Sequence, residues 1–444
     1  MDSDSTRAGS VFSRLLAATS KIRDNEVQAT LLSFTFVFVS MAAYFILRPV
    51  RDSLSSDWTD VQLSWLWTST FTFSVVAVVI YGAVISRIAF RRIVPSVYAF
   101  FAATFVAFYV LGTTLGENDL VNRAYYVWLS VFSLFHLSVF WTFMSGLYNK
   151  EQAKRLFSVI AMGASTGAIV GPAIPTFFAE DIGNLNLLLI AAGLLLVPIP
   201  LISALDRLRV SALGNADLQA DVSSQQRLGR NPFAGFMRFF SNPYLLAIGV
   251  FIILYVVMNT FIYFELRKMM GDFEREARTE IWAGIDLAVN SLALLTAFFA
   301  TGRIATRLGM AATLALIPFL MIGGWIVVAL SPALGVLIGL QIARRAGNYA
   351  ITRPGREMLF TAVDAETRFK AKPVIDIVIY RGGDVATAWL YTALTATLGW
   401  GLAGVAAFAA VLAAVWTAAG TWLGRSYDRI DEQQSKAETA INKG

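Results

Sequence analysis

Apolar residues along this chain fall into twelve long blocks separated by short polar stretches. The blocks lie at 27–47, 63–86, 93–114, 123–147, 156–178, 185–205, 243–265, 280–301, 310–331, 333–352, 373–397 and 400–424. A helix that crosses a bilayer needs about 20 mostly apolar residues. The strands of a membrane barrel would instead alternate apolar and polar positions. The pattern therefore predicts an all-α polytopic membrane protein with twelve transmembrane helices. The tenth block is the least regular, because Arg344 interrupts it.

Composition narrows the choice. Of 444 residues, 57% are hydrophobic and 15% charged, against roughly 25% charged in soluble domains. A soluble protein of this size needs more charge to cover its surface, and a disordered chain needs far less apolar mass. There is no cysteine, so disulfides and thiolate chemistry are excluded. The single histidine, His136, argues against zinc, which takes two or three imidazoles in catalytic sites. No GxxxxGK[ST] loop is present to cradle a nucleotide for hydrolysis. The expectation is a carrier that is not an enzyme and needs no cofactor. Nucleic acid need not be invoked for the small net charge of +6.

Lysine and arginine orient the spans. The loops after the even-numbered spans and before the odd-numbered ones hold eighteen of them, from Arg87 to Lys372; the opposite loops hold seven. Both termini are expected in the cytoplasm. The first residues are polar and interrupted by Arg14, unlike a secretory signal. The predicted organisation is a cytoplasmic tail at 1–26, a six-helix half at 27–206, a linker at 207–242, a second six-helix half at 243–424 and a tail at 425–444.

The halves echo each other. Tyr44-Phe45-Ile46-Leu47-Arg48 ends the first span and Tyr263-Phe264-Glu265-Leu266-Arg267 ends the seventh; Arg87-Ile88-Ala89 follows the second and Arg303-Ile304-Ala305 the eighth. Ala153-Lys154 and Ala371-Lys372 precede the fifth and eleventh, and all three echoes share an offset of 216–219 residues. Two parallel six-helix repeats are the layout of major facilitator transporters, whose solute site lies near the bilayer midplane.

Ionisable residues inside spans cost about 2.5–3.5 kcal/mol each on insertion scales and so point to function. Arg48-Pro49-Val50-Arg51-Asp52 ends the first span, where Pro49 should stop or bend the helix. Its two guanidiniums could hold a carboxylate or phosphate or snorkel to headgroups. In the tenth span Arg344 and Arg345 lie about 16 Å below the outer end, at 1.5 Å per residue. Asn348 shares the Arg344 face at i,i+4. Asp286 and Asn290 sit one turn apart in the eighth span, and Asp376, Arg381 and Asp384 in the eleventh. Asp286 has no basic residue in its own span, so it is either paired across helices or free to titrate. Glu265, Arg267 and Lys268 end the seventh span, and the mixed charges that follow read as a solvated loop. His136 reads as a hydrogen bond to a neighbouring helix. Gly163, Gly167 and Gly171 form a small-residue packing face, with Gly382-Gly383 in the equivalent place of the second half.

Several motifs taken together resemble a known family. They are Tyr44–Asp52, then Phe140-Trp141-Thr142-Phe143 with Gln152-Ala153-Lys154-Arg155, then Arg353-Pro354-Gly355-Arg356-Glu357-Met358-Leu359-Phe360-Thr361 leading to Lys370-Ala371-Lys372 and Ile375-Asp376. Over about residues 28–425 the chain resembles the ATP/ADP translocases, nucleotide transporters of the major facilitator superfamily. The resemblance implies that fold and nucleotide exchange. The chain departs from the family at three charges. Arg51 stands where exchangers carry a lysine, Val127-Trp128-Leu129-Ser130 lacks their acidic residue, and Asp384 stands where they carry a lysine.

The expected activity is secondary transport of a small anionic solute, of which nucleotide is one version, across the cell inner membrane by alternating access. Arg48, Arg51, Arg344, Arg345, Asn348 and Arg381 are the candidate solute ligands, and Asp52, Glu265, Asp286, Asn290, Asp376 and Asp384 the candidate coupling or gating residues. A proton-coupled carrier of another organic anion, or a lipid flippase, are the alternatives. The expected partners are the solute and the bilayer, with a monomer as the simplest assembly.

Overall fold

The computed structural model describes residues 22–85, 90–215, 234–299, 301–363, 371–372 and 374–441. Each of the twelve predicted spans falls on helix. They are α1 (Val27–Leu54), α2 (Asp60–Ile85), α3 (Phe90–Leu115), α4 (Asp119–Leu147), α5 (Lys150–Ile182), α6 (Asn184–Leu196) continued by α7 (Pro198–Ser211), and, after a short α8 (Ala234–Ser241), α9 (Pro243–Met269), α10 (Arg275–Phe299), α11 (Thr301–Leu330), α12 (Leu334–Gly347), α13 (Arg353–Leu359), α14 (Tyr380–Thr392) and α15 (Leu402–Ile441). Among the described residues, eight helices are long and apolar enough on their own to cross a membrane. The second, eighth, tenth and eleventh spans are not among these eight, and the last two are irregular. α12 passes into a π-helical stretch at Asn348–Thr352, and α14 is flanked by two more at Val374–Ile379 and Ala393–Thr397.

Local chemistry fixes several helix starts. Asn118 caps α4 by accepting from Leu120 and Val121 N–H, and Asn242 caps α9 by accepting from Tyr244 and Leu245, with Pro243 at the first helical position. Asn149 and Gln152 form a reciprocal capping box at α5. Each such cap is worth about 1 kcal/mol. Of the two outcomes expected at Pro49, a stop does not occur: α1 runs on to Leu54. Just before the proline, the Leu47 carbonyl accepts the Tyr125 hydroxyl at 3.0 Å. Gly309, at φ +75°, breaks α11 near its start and sets the angle of the ninth span.

The chain condenses into two compact units. The first comprises Met1–Leu54, Thr72–Leu228 and Glu274–Leu287; the second comprises Ser55–Phe71, Gly229–Phe273 and Ala288–Gly444. Each unit thus contains one short segment from the other half of the sequence. In the first unit α5 lies directly on α1. A Cβ added at Gly163 or Gly171 would come within 2.6–2.7 Å of the Phe34 and Ala42 carbonyl oxygens, so only glycine permits this approach. In the second unit the corresponding close approach is not at Gly382-Gly383, which have open space or ordinary contacts. It is where Gly420 and Gly424 of α15 meet Leu314 and Ala311 of α11.

Candidate functional site

The first unit gathers charge at the end of α1. Arg48 and Asp52 lie one turn apart, at 3.5 Å. Arg51 Nε and Nη2 donate to Asp52 Oδ1 at 2.9 and 2.6 Å, Nη1 donates to Ser130 at 3.2 Å, and the guanidinium lies over the Tyr126 ring. Arg48 Nη1 also reaches Asp286 Oδ1 at 3.2 Å. Asp52 and Asp286 are both buried. Two guanidiniums therefore face two carboxylates and the cluster is electrically balanced. Asp286 is paired across helices, the first of the two readings its sequence left open.

His136 sits in the same unit, buried, with its ring stacked on Tyr44 at 4.8 Å and Phe132 at 5.1 Å. Its Nδ1 lies 3.3 Å from the Phe132 carbonyl of its own helix. The bond to a neighbouring helix is made by its backbone, whose carbonyl accepts the Tyr98 hydroxyl at 2.6 Å. The expected bond from the imidazole to a neighbouring helix is therefore not found among the described residues: the ring stacks on aromatics and meets only its own helix.

In the second unit Arg344 closes α12 and is completely buried. Its Nη2 donates to Asn259 Oδ1 at 2.7 Å and to Gln341 Oε1 at 2.8 Å, and its guanidinium lies 5.3 Å from the Tyr255 ring centroid. Its Nε and Nη1 have no hydrogen-bond partner, and it makes no ion pair, among the described residues. Arg345 is buried beside it, and Asn348, one turn on, opens the first π-helical stretch. Such bulges recur at functional positions because they re-aim side chains within a helix. From α14, Tyr380 approaches Tyr255 with ring centroids 6.2 Å apart, and both Arg344 and Asp384 fall within its electrostatic surroundings. Arg381 and Asp384 face each other at 3.9 Å, the i,i+3 neutralisation that their spacing allows. Thr260 and Thr387 hydrogen-bond at 2.9 Å and hold α14 against α9.

A third cluster, also in the second unit, surrounds Asp60. Lys268 Nζ lies 2.8 Å from Asp60 Oδ2, Thr395 donates to the same oxygen at 2.7 Å, and Arg267 pairs with Oδ1. Arg267, buried, also donates to the Trp58 and Ser55 carbonyls at 2.6 and 3.3 Å. Tyr391 donates to buried Glu265 at 2.6 Å and accepts from Lys268 at 2.9 Å. Ser64 and Thr392 share a 2.8 Å hydrogen bond. The end of the seventh span is thus a buried ion-pair network.

The residues that follow keep an exposed loop at Asp272 and Glu274, as expected, but not throughout. Arg278 is buried against the Ser53 carbonyl, and Arg275 pairs with Glu117 at 2.5 Å. Sequence reading passed over Asp60, Tyr255, Asn259, Gln341 and Tyr391.

Asn290 falls in the second unit, one turn beyond Asp286. The side chain of Asp376 lies outside the described residues, although its backbone belongs to the second π-helical stretch. Among the described residues no group of three or more histidines and carboxylates could hold a metal ion.

Long apolar helices that carry buried charge at their ends and centres define a polytopic membrane protein of the solute-carrier type. Residues 31–351 match the Major Facilitator Superfamily, and the chain belongs to that family of transporters. It is similar in structure to a bacterial homologue of the human lysosomal transporter Spinster, captured inward-facing and unoccupied. That likeness has TM-score 0.55 and 11% identity, and covers 92% of this chain and 99% of the other. It is also similar to the nucleoside transporter NupG, with TM-score 0.57 and 14% identity, over 92% of this chain and all of the other. At such identities the likeness concerns the fold alone. No curated protein matches the chain by sequence. The narrower likeness to ATP/ADP translocases rests on the motifs quoted above.

Proposed function

We propose that this transporter carries a small organic anion across the cytoplasmic membrane by alternating access, and that Arg344 is the charge the solute binds. The observation that carries the reading is a contrast between buried arginines. Arg48, Arg51 and Arg267 each face a carboxylate, whereas among the described residues Arg344 has only the neutral amides of Asn259 and Gln341 and the Tyr255 ring. A buried charge without a counter-charge is costly and is retained where a ligand supplies the opposite sign. Asn259 and Gln341 aim the guanidinium, while Tyr255 and Tyr380 offer an apolar and phenolic surround for the rest of the solute. Arg381 and Asp384, close by on α14, suit a pair that opens when the solute arrives. Arg48, Arg51, Asp52, Asp286, Glu265 and Asp60 serve as gating pairs. Both termini lie in the cytoplasm in this reading.

Nucleotide is the first solute to assay, on the strength of the translocase-like motifs and of a structural neighbour that is a nucleoside transporter. The test is uptake into liposomes of labelled nucleotides, dicarboxylates and organic phosphates, with and without internal solute. Uptake by the wild type that is lost in Arg344→Gln and partly kept in Arg344→Lys supports the site. Uptake by Arg344→Gln at the wild-type rate discards it.

A further inference from the structure

We infer that the groove between α11 and α15 is a binding site for one anionic phospholipid, with Arg425 and Arg429 holding the headgroup. The groove has a volume of about 640 Å³ and is lined by Ile322 from α11 and by α15 residues from Ala414 to Arg429. Its lower wall is chemically apolar. The Thr417 and Thr421 hydroxyls that line it donate to carbonyls one turn back on their own helix and leave no polar demand in the groove. Trp422 stands exposed at its upper edge, where an indole favours the membrane–water boundary.

The basic end is built from consecutive turns of one helix. Arg425 and Arg429 are both exposed, and neither forms an ion pair with a described carboxylate. Arg429 folds back, donating from Nε to the Arg425 carbonyl at 3.3 Å and from Nη2 to Ser426 at 3.1 Å, which fixes its guanidinium beside the groove. Asp428 does not line the groove and lies in the electrostatic surroundings of Tyr244 instead. From Ala414 to Arg429 the helix rises about 22 Å at 1.5 Å per residue. One leaflet with its headgroup layer measures about 21 Å, half of a 40–45 Å bilayer. An acyl chain lying against Ala414–Thr421 therefore places its phosphate level with the two arginines. By the charge bias of the loops this is the cytoplasmic end, where basic residues beside a helix recruit anionic headgroups.

The test compares the thermal unfolding of purified protein in detergent micelles doped with phosphatidylglycerol, phosphatidylcholine or inorganic phosphate. A ligand that binds the folded state raises the midpoint. Phosphatidylglycerol should exceed phosphatidylcholine by at least about 2 °C, and phosphate alone should do nothing. The difference should vanish in Arg425→Gln/Arg429→Gln. It should persist in the charge-conserving Arg425→Lys/Arg429→Lys protein and in Arg123→Gln/Arg207→Gln, which removes the same net charge elsewhere. An equal lipid preference in the Arg425→Gln/Arg429→Gln protein, loss of preference in the remote double variant, or stabilisation by phosphate alone would overturn the assignment.

Discussion

Arg48 Nη1 lies 3.2 Å from Asp286 Oδ1, and a second arginine–aspartate pair joins Arg267 to Asp60. Arg48 ends the first span and pairs with an aspartate on the eighth; Arg267 ends the seventh and pairs with Asp60 on the second. Asp286 is almost fully buried, so removing Arg48 takes a charge partner from a carboxylate held away from water. Such a break costs about 3–5 kcal/mol, whereas removing both charges costs far less. Arg48→Gln and Asp286→Asn should each lower the unfolding midpoint markedly, and the double variant should be more stable than either. A double variant whose loss equals the sum of the two singles would mean that the pair is not energetically coupled.

Arg344 predicts the opposite sign. Its charge is buried with two unpartnered N–H groups among the described residues, so a neutral replacement removes a desolvation cost. Arg344→Gln should melt no lower than the wild type, while solute-dependent stabilisation and uptake disappear. A clearly lower midpoint in Arg344→Gln would mark the residue as structural and weaken its assignment to the solute.

The helices were legible because apolar length is a local property of the sequence. The intramembrane charges were legible for the same reason: each stands out within its own span. Their partners were not. Asp60 opens α2 among ordinary polar residues, and nothing local marks it as the counter-charge of Arg267 and Lys268. Tyr255, Asn259 and Gln341 read as unremarkable members of apolar spans until the fold converges them on Arg344.

Glu357 and Lys372 give a pH-dependent prediction outside the membrane. Burial pushes the Glu357 carboxyl up, but the hydrogen bond and charge of Lys372, joined by Arg356, outweigh it and hold the group below its ordinary 4.5. A depressed folded value means that the pair stabilises the protein above the unfolded value and that this is lost as pH falls through the folded one. Both side chains are more than a third exposed, so solvent screening keeps the contribution to about 0–1 kcal/mol. The midpoint difference between wild type and Glu357→Gln should be small and constant from pH 7 to pH 5, and should close below about pH 4. A difference that grows on acidification would contradict the pairing.

The second unit also offers a covalent test of movement. Its segment Ser55–Phe71 comes from the other half of the sequence. Ser64 in that segment hydrogen-bonds Thr392 at 2.8 Å, with Trp389 donating to Thr68 at 3.1 Å nearby. In the alternating-access reading proposed above, this segment leaves α14 at some point in the cycle. The chain has no cysteine, so Ser64→Cys/Thr392→Cys introduces the sole thiol pair, at side chains already in contact. Oxidation should form an intramolecular disulfide, visible as a shift in gel mobility, and should stop uptake in liposomes; reduction should restore it. Each single-cysteine protein should transport equally under both conditions. A cross-linked protein that still carries solute at the full rate would mean that the Ser64–Thr392 contact stays closed throughout the cycle, and the moving surface would have to be sought elsewhere.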